Sequence, residues 1–338
     1  IIAGRSVDAI SGKTFETFNP ANGKVLAKIA RCEKADADAA VKAARNAFEN
    51  GPWPKMSPAE RKVILQRFAT LIEAHTDELA ELEAIEAGKP ISDCIEIDLP
   101  ETIGTIRWHA EAADKIYDQL SPSGSGVVSM IVREPIGVVA AILPWNFPLM
   151  MAAWKLGPIL AEGNTVILKP AEQTSMSTIR LAQLATEAGI PDGVINVVPG
   201  FGEEVGKALG EHMGIDCVGF TGSTEIGRMF LRYSADSNLK RVLLECGGKN
   251  PLVVMPDAAD LDVVADHAAN SIFWNMGENC SSNSRVLIHS SLKAEFIELL
   301  LERTRDWVIA DPLDSACRLG PLIEEEHMEK VLSHIEKA

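Results

Sequence analysis

The spacing of hydrophobic residues along this chain changes near residue 137. Before it, apolar side chains recur mostly at helical spacing. The pattern there predicts a β-hairpin over 15–31 and helices over 36–49, 58–87 and 100–117. After it, continuous apolar runs alternate with helical patterns, as the buried strands of a parallel sheet do.

The alternating region predicts an open sheet flanked by helices. Its predicted strands are 137–144, 164–170, 194–200, 216–222 and 240–246, and its predicted helices are 149–162, 175–188, 202–212 and 224–234. This alternation is typical of a doubly wound, Rossmann-like α/β domain, which commonly holds a dinucleotide at the carboxyl ends of its strands. A second α/β unit begins at residue 252, with a strand over 284–289 and a helix over 291–306. Between the two regions, the alternating segment 127–135 predicts a sheet-edge strand.

Composition limits the class of protein. The 338 residues suggest two domains, and an apolar fraction of 46% fits a soluble globular protein. Forty-eight acidic against 32 basic residues give a net charge of −16, which argues against non-specific binding to nucleic acid or anionic lipid. No run approaches about 18 apolar residues and no signal-peptide pattern opens the chain, so we expect no membrane span and a cytoplasmic protein. The chain starts without Met and stops inside a helical pattern, so we expect it to be trimmed at both ends.

The six cysteines are dispersed, with no CxxC pair and no histidine cluster nearby. Three disulfides remain an alternative, and a zinc site is a weaker one. Large chains with dispersed cysteines more often keep them reduced. We therefore expect free thiols and no metal.

Two residues offer the groups that thioester chemistry needs. Cys280 lies in FWNMGENCSSNSR (273–285), a loop-like run, and Glu245 lies in LLECGGKNP (243–251), ahead of a Gly-Gly turn. A thiol supplies a soft nucleophile, and a carboxylate can later activate water. Taken alone, such a cysteine is more often a buried filler and such a glutamate a solvated surface group.

Three further motifs end predicted strands. PWNFP (144–148) places the amide of Asn146 there, as an oxyanion donor or simply a turn-forming residue. KPAE (169–172) presents Lys169 and Glu172, which could meet a ribose or phosphate but could also be solvated loop charges. GFTGSTEIG (219–227) suits a pyrophosphate at a helix start, although it is not the GxGxxG fingerprint.

In order, PWNFP, KPAE, PGFG (199–202), FTGSTEIG, LLECGGK and GENC resemble the aldehyde dehydrogenase superfamily. The resemblance runs along essentially the whole chain. Segments such as REPIGVVAAILPWNFPLMM are most similar to the aminoaldehyde branch, which includes γ-glutamyl-γ-aminobutyraldehyde and guanidinobutyraldehyde dehydrogenases.

The resemblance implies a role for each motif. Cys280 would be the nucleophile, Glu245 the general base, and Asn146 with the backbone N–H of Cys280 the oxyanion hole. The residues implied for the cofactor are Lys169 and Glu172 at the adenosine ribose, Ser223 at the pyrophosphate, Gly202 and Gly222 at close backbone approaches, and Trp145 in the nucleotide cleft. The residues implied for an aldehyde tunnel are Phe147, Trp154 and Trp274, although aromatics in apolar runs are more often core. Asp98 could meet a distal substrate amine, and a solvated helix-start carboxylate is the alternative.

The resemblance also implies an activity and a domain plan. The activity would be oxidation of an aldehyde to a carboxylic acid through a cysteine thioester, with NAD+ preferred and NADP+ possible. The domain plan would be an NAD-binding domain over 1–118 and 136–245, an oligomerisation strand segment over 119–135, and a catalytic domain over 246–338 that is incomplete at its C-terminus. A homodimer or homotetramer would follow, and the only other partner expected is a small aldehyde.

Two alternatives stay open from the sequence. A coenzyme A-acylating semialdehyde dehydrogenase would pass the thioester to a thiol, but it has no need of the base Glu245. A binding protein on an inactive dehydrogenase scaffold would not need the Cys280, Glu245 and Asn146 set. The second thiol beside Glu245, Cys246, could also form a regulatory disulfide with Cys280.

Overall fold

The computed structural model describes residues 1–337. The strands are β1 (Thr14–Phe18), β2 (Val25–Ala30), β3 (Gln119–Ser121), β4 (Ser129–Ile131), β5 (Val138–Ile142), β6 (Thr165–Lys169), β7 (Ile195–Val197), β8 (Cys217–Gly222), β9 (Arg241–Cys246), β10 (Pro251–Val254) and β11 (Arg285–Ile288). The helices are α1 (Lys34–Glu49), α2 (Pro58–Ala74), α3 (Thr76–Ala87), α4 (Ile91–Asp93), α5 (Leu99–Ala112), α6 (Pro148–Ala161), α7 (Met176–Glu187), α8 (Lys207–Glu211), α9 (Thr224–Ala235), α10 (Leu261–Phe273), α11 (Lys293–Arg303) and α12 (Glu325–Lys337). Within residues 1–337, no helix combines the length and the apolar character needed to cross a membrane.

A five-stranded parallel sheet positions the loops that matter for function. Its strand order is β7-β6-β5-β8-β9. The chain therefore adds β6 and β7 on one side of β5 and then adds β8 and β9 on the other side. The order reverses between β5 and β8, and in sheets of this type a ligand binds in the crevice beyond the carboxyl ends of those strands. The loops that follow β5 and β8 therefore border the expected binding crevice.

Helices cover both faces of this sheet, because alternate strand residues point to opposite sides. In β5, Val138 and Ala140 pack with the layer that contains α1, α8 and α9. Ala141, one residue on, packs with the layer that contains α2, α3, α5, α6 and α7. A strand buried on both faces explains the uninterrupted apolar run in the sequence.

Three smaller sheets lie outside this core. β1 and β2 form the predicted hairpin, with its turn at residues 19–24. β3 and β4 form a second antiparallel pair, and β10 and β11 form a parallel pair that packs on α10 and α11. The second α/β unit expected from the sequence is therefore present.

Three of the differences between the structure and the predicted elements have a clear local reason. The helix predicted over 58–87 is divided into α2 and α3 at His75, whose ring Nδ1 bonds to the carbonyl of Leu71 at 2.8 Å. Strand β3 was not predicted, because its three residues carry no alternating pattern of their own. Helix α10 was also not predicted, although Asp260 caps it by accepting the backbone N–H of Val263 at 3.1 Å.

Candidate active site

One cavity of about 700 Å³ is lined by Asn146, Glu245 and Cys280. Asn146 lies in the loop after β5, Glu245 at the end of β9, and Cys280 in the segment after α10. Three separate parts of the chain thus place an amide, a carboxylate and a thiol around one space. This is the juxtaposition that the sequence motifs predict.

Cys280 differs from the other cysteines in its exposure. The remaining five are buried or half-buried, and all six thiols in the described residues are free: Cys32, Cys94, Cys217, Cys246, Cys280 and Cys317. Burial raises the pKa of the Cys32 thiol to about 12, which makes that thiol inert as a nucleophile. The exposed Cys280 is the thiol best placed to meet a substrate.

The turn before Cys280 has an unusual backbone conformation. Asn275 and Met276 adopt φ angles of 53° and 56°, in the left-handed region that most side chains avoid. Both residues are buried, so the surrounding packing holds them there. The side chain of Asn250 fixes the far side of the turn by donating to the carbonyl of Cys280 at 3.2 Å.

Asn146 is held through both its backbone and its side chain. Its backbone carbonyl accepts hydrogen bonds from Lys89 Nζ and Asn275 Nδ2, each at 3.3 Å. Its side-chain Nδ2 donates to the backbone carbonyl of Glu278 at 2.6 Å. An amide nitrogen carries two hydrogens, so one donor is used for anchoring and the second can point at a ligand.

Glu245 is exposed at the end of β9, and a lysine lies near it that the sequence did not single out. Lys155 on α6 donates to Thr221 Oγ1 at 2.5 Å. Burial lowers the pKa of Lys155 to about 8, and the charge of Glu245 opposes that shift. Lys155 lies within the predicted helix 149–162, and a lysine in a helical pattern is usually solvated, so the sequence offered no signal for it.

A second cavity of about 360 Å³ holds the residues expected to bind a nucleotide, among them Lys169, Glu172 and Gly202. Lys169 is buried, and its Nζ donates to the carbonyl of Pro170 at 2.9 Å and to Glu172 Oε1 at 3.2 Å. Burial lowers the pKa of Lys169, and the Glu172 carboxylate opposes that shift. The same Glu172 oxygen accepts the backbone N–H of Gly202 at 2.7 Å.

The two cavities share a wall. The residues that line both are Pro144, Trp145, Thr221, Gly222 and Ser223. A Cβ at position 222 would approach the Phe220 ring to 2.6 Å, so any larger residue there would force that ring to shift. Ser223 caps α9 by accepting the backbone N–H of Ile226 at 3.2 Å, which leaves the start of α9 pointing at the shared wall.

These residues fit a dinucleotide. A helix N-terminus favours an anion such as a pyrophosphate, and the shared wall is where the α9 N-terminus lies. The charged pair Lys169 and Glu172 lies in the 360 Å³ cavity, away from Cys280. One ligand could therefore extend from the charged pair, past the helix start, to the cavity that holds the thiol.

The aromatic residues expected to line an aldehyde tunnel are only partly brought together. Phe147 lines the Cys280 cavity, and its ring lies 5.4 Å from that of Trp274. Trp274 packs against the cluster of Phe147, Met150 and Met151. Among the described residues that line the cavity, neither Trp274 nor Trp154 is present, and Trp154 is 48% exposed on α6.

Glu278 and His327 are site residues that the sequence did not indicate. The Glu278 side chain is buried, and its Oε1 accepts the backbone N–H of Ile323 at 3.1 Å and lies 3.5 Å from His327 Nε2. Burial raises the pKa of Glu278 to about 8 and lowers the pKa of His327. The His327 ring packs edge-on against Trp145 at 5.1 Å, which links helix α12 to the shared wall. A pattern in the sequence could not reveal these contacts, since they depend on the approach of α12.

Comparison with known proteins gives a consistent result. The model of the aldehyde dehydrogenase family matches residues 7–338. An aminoacetaldehyde dehydrogenase from Pseudomonas aeruginosa is 54% identical over 337 residues, which is 100% of this chain and 68% of that protein. Two solved structures superpose with a TM-score of 0.98 and cover 99% of this chain and 68% of their own.

One of these structures is a γ-glutamyl-γ-aminobutyraldehyde dehydrogenase from Burkholderia cenocepacia, at 50% identity. The other is the indole-3-acetaldehyde dehydrogenase AldA from P. syringae, at 48% identity, in complex with NAD+ and IAA. The family match covers nearly the whole chain, and the identities are far above the level at which only a fold is shared. This chain therefore belongs to the aldehyde dehydrogenase family, as its motifs predict.

Proposed function

We propose that this enzyme oxidises an aldehyde to a carboxylic acid with NAD+, through a covalent intermediate on Cys280. The observation that carries the proposal is the single cavity lined by Cys280, Glu245 and Asn146. That cavity shares a wall with the pocket of Lys169 and Glu172, which suits a nucleotide. Nucleophile, base and cofactor site are thus adjacent.

The first half of the reaction forms a thioester. Sγ of Cys280 attacks the aldehyde carbon as the thiolate, a C–S bond forms, and negative charge develops on the former carbonyl oxygen. The second N–H of Asn146 and the backbone N–H of Cys280 donate to that oxygen. Bound NAD+ supplies the acceptor for the hydride that leaves the carbon. The C=O bond then re-forms, and the acyl group remains on sulfur.

The second half hydrolyses the thioester. Glu245 takes a proton from water, the oxygen of that water adds to the acyl carbon, and the C–S bond breaks. The sulfur leaves as a thiolate, and the carboxylic acid is released. Aldehyde, water and NAD+ are consumed, and acid, NADH and a proton are produced.

The cofactor proposed is NAD+, with NADP+ as a poorer alternative. Lys169 and Glu172 would hold the adenosine ribose, with Gly202 beside them. The Glu172 carboxylate can accept hydrogen bonds from ribose hydroxyls, and its charge repels a 2′-phosphate. The start of α9, at Gly222 and Ser223, would receive the pyrophosphate, and Trp145 would form the wall between nucleotide and substrate.

The substrate class proposed is an aminoaldehyde. Relatives at 54% and 50% identity are named for aminoacetaldehyde and γ-glutamyl-γ-aminobutyraldehyde. The cavity that holds Cys280 is also lined by the carboxyl groups of Glu245, Glu324 and Glu326, with Lys249 and Lys330 as the lining lysines. A surplus of carboxylates attracts a cationic substrate. Phe147 would supply the apolar wall for its carbon chain, with Trp274 packed against Phe147.

Assembly with further copies of this chain is proposed as well. The β3–β4 hairpin presents exposed apolar side chains, including Leu120 and Met130, which face each other across the pair. An exposed apolar strand pair is suited to pairing with another subunit. We infer that 119–135 is the oligomerisation segment, that 1–118 with 136–245 forms the NAD-binding domain, and that 246–338 belongs to the catalytic domain.

A coenzyme A-acylating activity is the nearest alternative. Glu245 argues against it, because a thiol acceptor does not need a base that activates water. Turnover with added coenzyme A separates the two: acyl-coenzyme A as the main product would contradict hydrolysis by Glu245.

Replacement of the nucleophile tests the proposal itself. Cys280→Ala in the complete protein should abolish aldehyde-dependent NADH formation while NAD+ still binds, as measured by calorimetry. Cys317→Ala is the matched control, since that thiol is buried outside the cavity and should leave turnover unchanged. Wild-type NADH formation by Cys280→Ala would disprove the covalent route.

A further inference from the structure

A buried lysine contacts the loop that carries Asn146. Lys89 follows helix α3, and only 1% of its surface is exposed. Its Nζ forms an ion pair with Asp98 and lies 3.8 Å from Glu83 Oε1, and both carboxyl groups are fully buried. Asp98 therefore binds the amine of Lys89, and it is not free to meet the amine of a substrate.

The charges of this cluster are coupled. Burial favours the neutral amine of Lys89, but the charges of Asp98 and Glu83 raise its pKa above the usual value. Burial, with the charge of Asp98, raises the pKa of Glu83 to about 8, and burial also raises the pKa of Asp98. Glu83, Cys94 and Asp98 offer ligand atoms within 4.8 Å of one another, as a metal site would require. The ammonium group of Lys89, however, already supplies the positive charge at this position.

The ammonium also reaches two consecutive residues of the loop after β5. It donates to the backbone carbonyl of Asn146 at 3.3 Å and lies 4.1 Å from the centre of the Phe147 ring. Asn275 donates to the same Asn146 carbonyl from the turn before Cys280. The peptide plane of Asn146 is thus fixed from two sides, while its side-chain amide is fixed by Glu278.

Stability alone does not explain this cluster. Removing charges from water costs several kcal/mol per ion, and replacing a buried ion pair by apolar side chains of similar volume is often neutral or stabilising. An apolar side chain would also fill the space under Phe147. An apolar side chain, however, could not donate to the carbonyl of Asn146 as Nζ does.

We propose that Lys89 is a positioning residue for the oxyanion donor: through the Asn146 carbonyl it aims the free amide N–H of Asn146 at the substrate oxygen. The inference rests on the proposed role of Asn146. Donors must meet the developing oxyanion within hydrogen-bond distance, and small misplacements are costly in rate. Lys89 itself touches neither substrate nor cofactor.

The test uses the double variant Lys89→Met/Asp98→Asn in the complete protein, which removes both charges and keeps similar volumes. Its kcat should fall about 10- to 100-fold, with KM for the aldehyde within about twofold of wild type. Alkylation of Cys280 by iodoacetamide and binding of NAD+ should be unchanged, which a general loss of structure would not allow. Lys293→Met, at an exposed position on α11, is the matched control and should have wild-type kcat.

A second variant guards against an uninformative loss of folding. Lys89→Gln/Asp98→Asn retains a neutral donor near the Asn146 carbonyl and should recover part of the lost kcat relative to the Met variant. Addition of Asn146→Ala to Lys89→Met/Asp98→Asn should be no slower than Asn146→Ala alone, because residues that act through one group are not additive.

Three results would overturn the proposal. The first is a wild-type kcat in Lys89→Met/Asp98→Asn, and the second is additive losses when Asn146→Ala is combined with it. Either one leaves the oxyanion role of Asn146 standing. The third is a wild-type kcat in Asn146→Ala alone, which removes that role and the positioning proposal with it.

Discussion

The side-chain amide of Asn146 donates a 2.6 Å hydrogen bond to the backbone carbonyl of Glu278, two residues before Cys280. This bond joins the loop after β5 to the loop that carries the thiol. The proposed oxyanion donor and the proposed nucleophile are therefore fixed relative to each other before any substrate arrives. Such preorganisation lowers the cost of stabilising charge at the moment of reaction.

Removal of the Asn146 amide should slow catalysis without unfolding the protein. We expect Asn146→Ala to lower kcat about 10²- to 10³-fold, the usual effect of losing one oxyanion donor. Steady-state NADH formation measures this effect. Asn22→Ala, in the exposed turn between β1 and β2, is the control. A rise in KM with no change in kcat would show that Asn146 only binds substrate.

Neutralising Glu245 should separate the two halves of the reaction. In Glu245→Gln the thioester should still form, but its hydrolysis should be slow, because no carboxylate takes the proton from water. We expect a rapid burst of about one NADH per site followed by slow turnover, with a covalent acyl adduct visible by mass spectrometry. Glu101→Gln, at an exposed position on α5, is the control and should show neither the burst with slow turnover nor the acyl adduct. Equal losses in burst and turnover would contradict the assignment.

The cofactor preference should depend on the charge of Glu172. In Glu172→Gln the repulsion of a 2′-phosphate is removed, so kcat/KM with NADP+ should rise relative to NAD+ by about tenfold, equivalent to about 1.4 kcal/mol. Steady-state kinetics with both cofactors provide the ratio. A strong NADP+ preference in the wild type would contradict the proposed choice of NAD+.

The buried carboxyl of Glu278 should make stability depend on pH. Because burial raises its pKa from 4.5 to about 8, the folded protein keeps a proton that the unfolded chain releases. The free energy of unfolding therefore falls as pH rises between these two values, and above about pH 8 this group causes no further change with pH. Gln mimics the neutral acid. Glu278→Gln should thus gain stability relative to wild type, on the order of 1 kcal/mol per pH unit across that range.

Urea unfolding at pH 5, 6, 7 and 8 measures this difference. The groups that face Glu278 are His327, Lys89 and Glu324, and they are present in both proteins, so their own titration largely cancels. Glu302→Gln, on the exposed face of α11, serves as the control. A pH-independent difference between Glu278→Gln and wild type would show that the carboxyl is ionised when folded.

Charges on the β3–β4 hairpin should weaken assembly. Leu120 is 73% exposed and Met130 is 65% exposed, and a lysine at each would place two like charges in the proposed interface. We expect Leu120→Lys/Met130→Lys to reduce the molar mass measured by light scattering. Ile10→Lys changes an equally exposed apolar residue outside the hairpin. An unchanged mass in the hairpin variant would place the interface elsewhere.

Much of the fold could be predicted because its signals are local. Strand β5 is buried on both faces, so its apolar run is visible in the sequence without knowledge of its neighbours. The break at His75 was not predictable in this way, because α2 and α3 have similar composition and the break depends on side-chain bonds to carbonyls.

The site was predictable where motifs end strands and not where charges are buried. Glu245 lies at the end of strand β9, whereas Cys280 and Asn146 stand in loops, and all three have distinctive glycine or proline neighbours. Lys89 and Glu278 are charged residues, which patterns assign to the surface, yet helices distant in sequence cover both of them. Burial of a charged group is a property of the assembled layers, and no single stretch of sequence reports it.

The left-handed backbone at Asn275 and Met276 limits how this enzyme can be re-engineered. Residues held at such φ angles cost roughly 1–3 kcal/mol each, and β-branched side chains are least tolerated there. In random libraries that include these two positions, many of the variants would be destabilised. Changes of substrate range are better sought at Phe147 and Met151, which line the cavity of Cys280 and where the main chain imposes no such restriction.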